Sequence, residues 1–180
     1  MSSLNQLDRK TAQRRRRGGT VLEMAIAGTL MVIITYGIIE AGWYFFCKNM
    51  MNGAAREAAR NGILQSVGTT SGNAASINQT IITYFGNAGL IPHGTTATAS
   101  GLNWKIGNFT VSFYDYNYDT GVQTQKSDPG GNVPVGDGMD VKISASWAVI
   151  GKNFRPMELV MPSQNGGDIV SECVMRKEAE

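Results

Sequence analysis

The residues at 14–24 read RRRRGGTVLEM, a basic block, two glycines and a single carboxylate set just inside an apolar run. An ionisable side chain costs ~2.5–3.5 kcal/mol at the centre of a bilayer, so Glu23 has no place in an ordinary membrane anchor unless something answers its charge. The other chemistry-bearing side chains are sparse. His93 is the only histidine and sits in a Pro-His-Gly turn with no cysteine or carboxylate motif beside it. No G-x-S-x-G elbow occurs, and Gly130 and Gly131 belong to a DPGG turn and not to a phosphate loop between strand and helix. Asp115, Asn117 and Asp119 alternate as in a calcium loop. That loop needs glycine at its sixth position and an acid at its twelfth, where this chain has Thr120 and Lys126. A turn at a strand end explains them better. The sequence predicts no enzyme, no cofactor and no metal site.

The charge is divided unevenly. Residues 1–18 carry Arg9, Lys10 and Arg14, Arg15, Arg16 and Arg17 against Asp8, a net +5, whereas the other residues of the 180 are mildly acidic at −3. Nucleic-acid binding calls for basic residues spread over a folded surface, and that pattern is absent. Neither nucleic acid nor a small-molecule substrate is predicted as a partner.

Met24 to Cys47 is an apolar run whose one charge is Glu40. As a helix it is ~36 Å long, enough for a hydrocarbon core of ~30 Å and too long for the core of a secretory signal. By the positive-inside rule the arginine block places the head, residues 1–18, in the cytoplasm. Everything after Cys47 then lies on the far side, which predicts a single-pass inner-membrane protein with its C-terminus in the periplasm. Glu40 falls ~25 Å along the helix from Glu23, near the opposite interface, as a tolerated carboxylate or a subunit contact.

The periodicity predicts one helix from about Thr20 to about Gln65, with residues 19–47 in the membrane and 48–65 as a stalk. Residues 1–13 show no apolar periodicity and read as disordered. Ala55, Ala58, Ala59 and Gly62 are small enough to let another backbone approach. A Gly/Ser/Thr linker at 66–73 leads to a domain over 74–180. That domain opens with a short amphipathic helix, Ala74 to Asn87, with Ile77, Ile81, Ile82, Tyr84 and Phe85 as candidates for its buried side and Gly86, Gly89 and Pro92 closing it. Strands begin near Trp104: Phe109, Val111 and Phe113 alternate, as do Met139 through Val149. Residues 119–138 read as a long turn, and further short strands are predicted at Pro156–Met161 and Asp168–Met175. The fold class is α+β, a long N-terminal helix followed by a short helix and an antiparallel sheet of about four strands. The soluble part, about 115 residues, is enough for one small core.

The head resembles type IV prepilins, and more closely the TadE-like minor pilins of tight-adherence (Tad, Flp-type) pilus systems. The resemblance rests on the arginine-rich leader, the glycine, the glutamate at 23 and the apolar helix running into NGAAREAARNG at 52–62, with a weaker echo in SECVMRKE at 171–178. Met24 stands where that family often has an aromatic residue. The resemblance implies cleavage by a prepilin peptidase between Gly18 and Gly19, which makes Glu23 the fifth residue of the mature chain; a cut after Gly19 would make it the fourth. It further implies other pilins and the assembly platform as partners, alongside the lipid bilayer, and a part in an adhesive, biofilm-forming pilus. In physical terms Glu23 would neutralise the new α-amino group of a neighbouring subunit inside an apolar filament core. The competing reading is an uncleaved signal-anchored protein that binds an envelope partner or serves the assembly platform.

Cys47 and Cys173 would both face an oxidising compartment. A bridge between them would staple the sheet to the stalk, with a nominal benefit of ~4–5 kcal/mol for so long a loop. The alternative is that Cys47 is simply a small apolar helix residue.

Overall fold

The computed structural model describes residues 2–65, 73–127, 137–150 and 167–176, with side chains from Gly19 onward except at 64, 65 and 73. Helix α1, Ser2–Gln65, is continuous over 64 residues. It includes residues 2–13, which the sequence reading left without structure: their lack of apolar periodicity speaks against a buried face, not against helical backbone. Helix α2 (Asn73–Asn87) follows, then strands β1 (Ala97–Ser100), β2 (Asn103–Ile106), β3 (Phe109–Tyr116), β4 (Gln123–Lys126) and β5 (Gly138–Ser146). A helical turn, α3 (Trp147–Ile150), and strand β6 (Asp168–Arg176) complete the described residues. The strand predicted at 156–161 and most of the linker at 66–73 lie outside them.

Among the described residues the sheet has six strands, all paired antiparallel, with the path β1-β2-β3-β5-β6. β4 shares an edge of β3 with β2: β2 pairs Phe109 to Ser112, and β4 pairs Phe113 to Tyr116. The α+β class holds, with two strands more than the four foreseen. β1 and β2 are four residues each and are joined, as are β2 and β3, by two-residue turns opening on glycines with positive φ, Gly101 (65°) and Gly107 (59°). Such turns match the natural twist of a hairpin. β4 reads QTQK, with no apolar alternation to betray it inside the segment expected to be a turn. β5 stops at Ser146 where alternation through Val149 had suggested more strand, because Trp147 instead packs edge-on against Tyr44 of α1, with ring centroids 5.3 Å apart.

One face of the sheet carries the core. Phe109, Val111 and Phe113 of β3, Met139, Val141 and Ile143 of β5, and Ile169 of β6 are buried beneath the two helices. α2 contributes Ile77, Ile81 and Phe85, each fully buried at a spacing of four, while Ile82 is half-buried and Tyr84 is 36% exposed with its ring against Gly53 of α1. The helix closes with the Leu90 amide donating to the Phe85 carbonyl at 2.9 Å. α1 contributes Cys47, Met51, Ala54, Ala55, Ala58 and Ala59, all fully buried, a stripe repeating every three to four residues. The closeness is real. A Cβ at Gly53 would collide with the Tyr84 ring, and one at Gly62 with the Met139 thioether. The segment 48–65 is thus a structural half of the sheet domain, and the backbone that its small residues admit belongs to this same chain.

Candidate processing and assembly site

α1 changes character along its length. From Gly19 to Ile39 no residue of it is fully buried: Val21, Leu22, Met24, Ile26, Leu30, Met31, Val32, Ile34, Ile38 and Ile39 are exposed, and only Ile33 and Gly37 are half-buried. A helix apolar on every side and unpacked is built for a lipid or protein surround. It is the one helix among the described residues long and apolar enough to cross a membrane, and it is compatible with a single-pass anchor. Its polar atoms are answered internally. Thr29 donates to the Ala25 carbonyl at 2.9 Å and Thr35 to that of Met31 at 2.8 Å, so neither hydroxyl is left unmet in hydrocarbon.

Gly18 and Gly19 lie within this helix, and Arg14 to Arg17 form the turn before them. Space around Gly19 is open. Glu23 is exposed four residues on, one helical turn beyond Gly19, and among the described residues it makes no ion pair. The sheet domain first reaches α1 where Trp147 lies beside Gly37 to Phe45, at least about fourteen residues or ~21 Å away. The glycines, the carboxylate and the basic turn are therefore collected on one continuous helix, and Gly19 and Glu23 stand clear of the sheet domain.

The remaining sequence candidates are absorbed by the fold. His93 is an exposed turn residue. Asn117 closes the β3–β4 turn, its Oδ1 accepting from the amides of Asp119 and Thr120 and from the Thr120 hydroxyl at 2.8–3.1 Å. Asp115 pairs with Lys126 across the same hairpin. Cys47 and Cys173 are free thiols. The register gives the reason: Ser171 donates to Oδ1 of Asn52 and the Lys48 ammonium to the Val170 carbonyl, so β6 runs up α1 from that level. Cys173, two residues past Ser171, is carried beyond Asn52 and away from Cys47, which lies ~7 Å back along the helix axis.

A polar cluster that the sequence reading missed sits on the outer face of the sheet. Asp140 is 1% exposed. Gln123 donates to its Oδ2 at 3.4 Å, and its Oδ1 has no hydrogen-bond partner among the described residues. Burial above all, then a hydrogen bond with Glu172 and repulsion from it, push the Asp140 carboxyl up to about 7, against the pull of Lys142 and of the Cys173 amide. Lys142 and Glu172 pair across β5 and β6 at 3.7 Å. The available signal was the polar residue at every second position of GMDVKISAS, which marks the face but not its burial.

The sign of the resulting pH dependence follows directly. Folding raises the proton affinity of Asp140 above its ordinary value of 3.8, so the folded chain holds the extra proton between about pH 4 and 7. Its contribution is complete below the unfolded value and is lost as pH rises through 7. We expect the sheet domain to lose about 2 kcal/mol between pH 5 and pH 8 from this group, and Asp140→Asn to flatten that slope. Urea unfolding of the full chain in detergent, followed by tryptophan fluorescence at both pH values, measures it. An unchanged slope in the variant would show that Asp140 is not the source.

A long exposed apolar helix whose far half is built into a small antiparallel α+β domain, with Glu23 near the start of its apolar part, is the architecture of a candidate single-pass anchor carrying one small domain. Residues 18–60 match the family model described as TadE-like protein, which is consistent with a TadE-like Tad pilus protein. The match runs from the glycine pair to the end of the buried alanine stripe and leaves α2 and the sheet outside it. No curated protein and no solved structure matches the chain.

Proposed function

We propose that this chain is a minor pilin of a Tad/Flp-type pilus system, cut by a prepilin peptidase between Gly18 and Gly19 and acting with other pilins and the assembly platform. The observation that carries the reading is the isolated Glu23 one turn beyond the glycine pair, on a helix exposed on all sides, within the segment that matches the TadE-like model. The glycines suit cleavage. Each costs a helix interior about 1 kcal/mol relative to alanine, so the Gly18–Gly19 bond is where α1 opens most readily into the extended backbone a peptidase needs. With the leader in the cytoplasm and the sheet domain in the periplasm, α1 holds the subunit in the inner membrane. Assembly then exchanges lipid contacts for contacts with neighbouring helices, and Glu23 meets the α-amine of an adjacent Gly19. The sheet domain is bulky for every subunit of a thin filament, which favours a minor or tip component over the major pilin. No reaction of its own is assigned to it.

The test is the intact mass of the protein from membranes of its host with and without the prepilin peptidase. A chain beginning at Gly19 only when the peptidase is present is the expected result. An uncut N-terminus in both strains overturns the reading in favour of a permanent signal-anchored protein of the envelope.

A further inference from the structure

The sheet domain reaches further down α1 than a domain held off the membrane on a stalk could. Counted from the end of the arginine block, a hydrocarbon core of ~30 Å uses about twenty residues and ends near Ile39 or Glu40. The headgroup layer above it, a further ~5–7 Å, takes α1 to about Phe45. Yet Trp147 shares a shallow, open groove with Gly37, Glu40, Ala41, Tyr44 and Phe45. On the neighbouring side of the helix, Val149 and Ile150 gather with Leu90, Asn108 and Phe109 around Trp43. α3 therefore stands at the same depth as the outer boundary of the hydrocarbon. Its four residues, Trp-Ala-Val-Ile, carry no charge. Val149 is 48% and Phe45 63% exposed there, an outlay of apolar surface that water does not favour. Trp43, Tyr44, Phe46 and Trp147 add the aromatic composition typical of a membrane–water boundary.

We infer that α3 is a membrane foot: Trp147–Ile150 and the adjoining aromatics of α1 seat the sheet domain in the headgroup layer of the bilayer that α1 crosses. The occupant is lipid because the face adjoins the exposed apolar surface of the spanning helix, with Glu40 its one charged residue, at the boundary level. Seating fixes the domain's tilt relative to the membrane and directs the opposite end of the sheet, with the β3–β4 turn at Asp119, away from it. The inference rests on the membrane-spanning part of the function proposed above.

The experiment places a fluorescent label at Val149→Cys, Ile39→Cys or Asp119→Cys in the full chain carrying Cys47→Ala and Cys173→Ser. Each is reconstituted in phosphatidylcholine/phosphatidylglycerol vesicles with or without lipid brominated near the top of its acyl chains. We expect brominated lipid to quench the label at 149 at least about half as strongly as that at 39, and to leave 119 unchanged. A label at 149 behaving like 119 while 39 is quenched overturns the foot and leaves the span standing, and assigns that face to a protein neighbour. A label at 39 that is not quenched overturns both. A second pair keeps the native cysteines. Trp43→Phe with Trp104→Phe leaves Trp147 as reporter, and Trp43→Phe with Trp147→Phe leaves Trp104; only the first should be quenched.

Discussion

Glu23→Ala is expected to leave the chain inserted and folded while removing it from the pilus. The side chain is exposed on α1 and about fourteen residues from the nearest part of the sheet domain, so its loss withdraws no intramolecular support. In a filament, by contrast, the α-amine of Gly19 would be buried among apolar helices with no counter-charge. Stranding one member of a buried ion pair costs ~3–5 kcal/mol, and each 1.4 kcal/mol is tenfold in an equilibrium. Incorporation into the sheared pilus fraction should therefore fall at least about a hundredfold, with the membrane-bound pool unchanged. Glu23→Gln keeps size and hydrogen bonding and removes only charge, so it should share the defect. Quantitative immunoblots of sheared and membrane fractions decide the matter, and normal piliation in both variants would sink the charge-pairing mechanism.

Phe85→Ala should strip the domain of half or more of its stability and spare the anchor. Phe85 is fully buried, and its ring meets that of Phe109, itself 1% exposed, at a centroid distance of 4.3 Å. The pair locks the end of α2 to the start of β3, the strand on which β2, β4 and β5 all depend. Truncating a buried phenylalanine costs ~3–5 kcal/mol through lost transfer energy and the cavity left behind. For a domain near the low end of the usual 5–15 kcal/mol that is half or more of its stability, a fall of roughly 2–3 M in the urea midpoint. Leu102→Ala, at a site 51% exposed in the β1–β2 turn, is the comparison and should move the midpoint little. Equal shifts for the two variants would mean that the aromatic pair is not the keystone of the sheet.

The sequence alone determined whatever depends on order along one helix. Length and apolarity make α1 able to cross a membrane, and Gly18, Gly19 and Glu23 keep their spacing because a helix fixes it at 1.5 Å per residue. The α2 stripe of Ile77, Ile81 and Phe85 and the alternation in β3 and β5 were legible for the same reason. Each is a strong local period against a single core. Only the tertiary structure decided what meets what. Nothing local in the alanine stripe at 54–59 says that the backbone it admits is this chain's own sheet and not a neighbour's helix. Short polar strands such as β4 exist because β3 offers them hydrogen bonds, which no periodicity records. The depth of Asp140, the separation of Cys47 from Cys173 and the turn of Trp147 back onto Tyr44 follow from how β5 and β6 lie along α1. That placement is set by contacts between residues about a hundred positions apart, such as Asn52 with Ser171, and spacing in a sequence carries no information about them until the chain has closed.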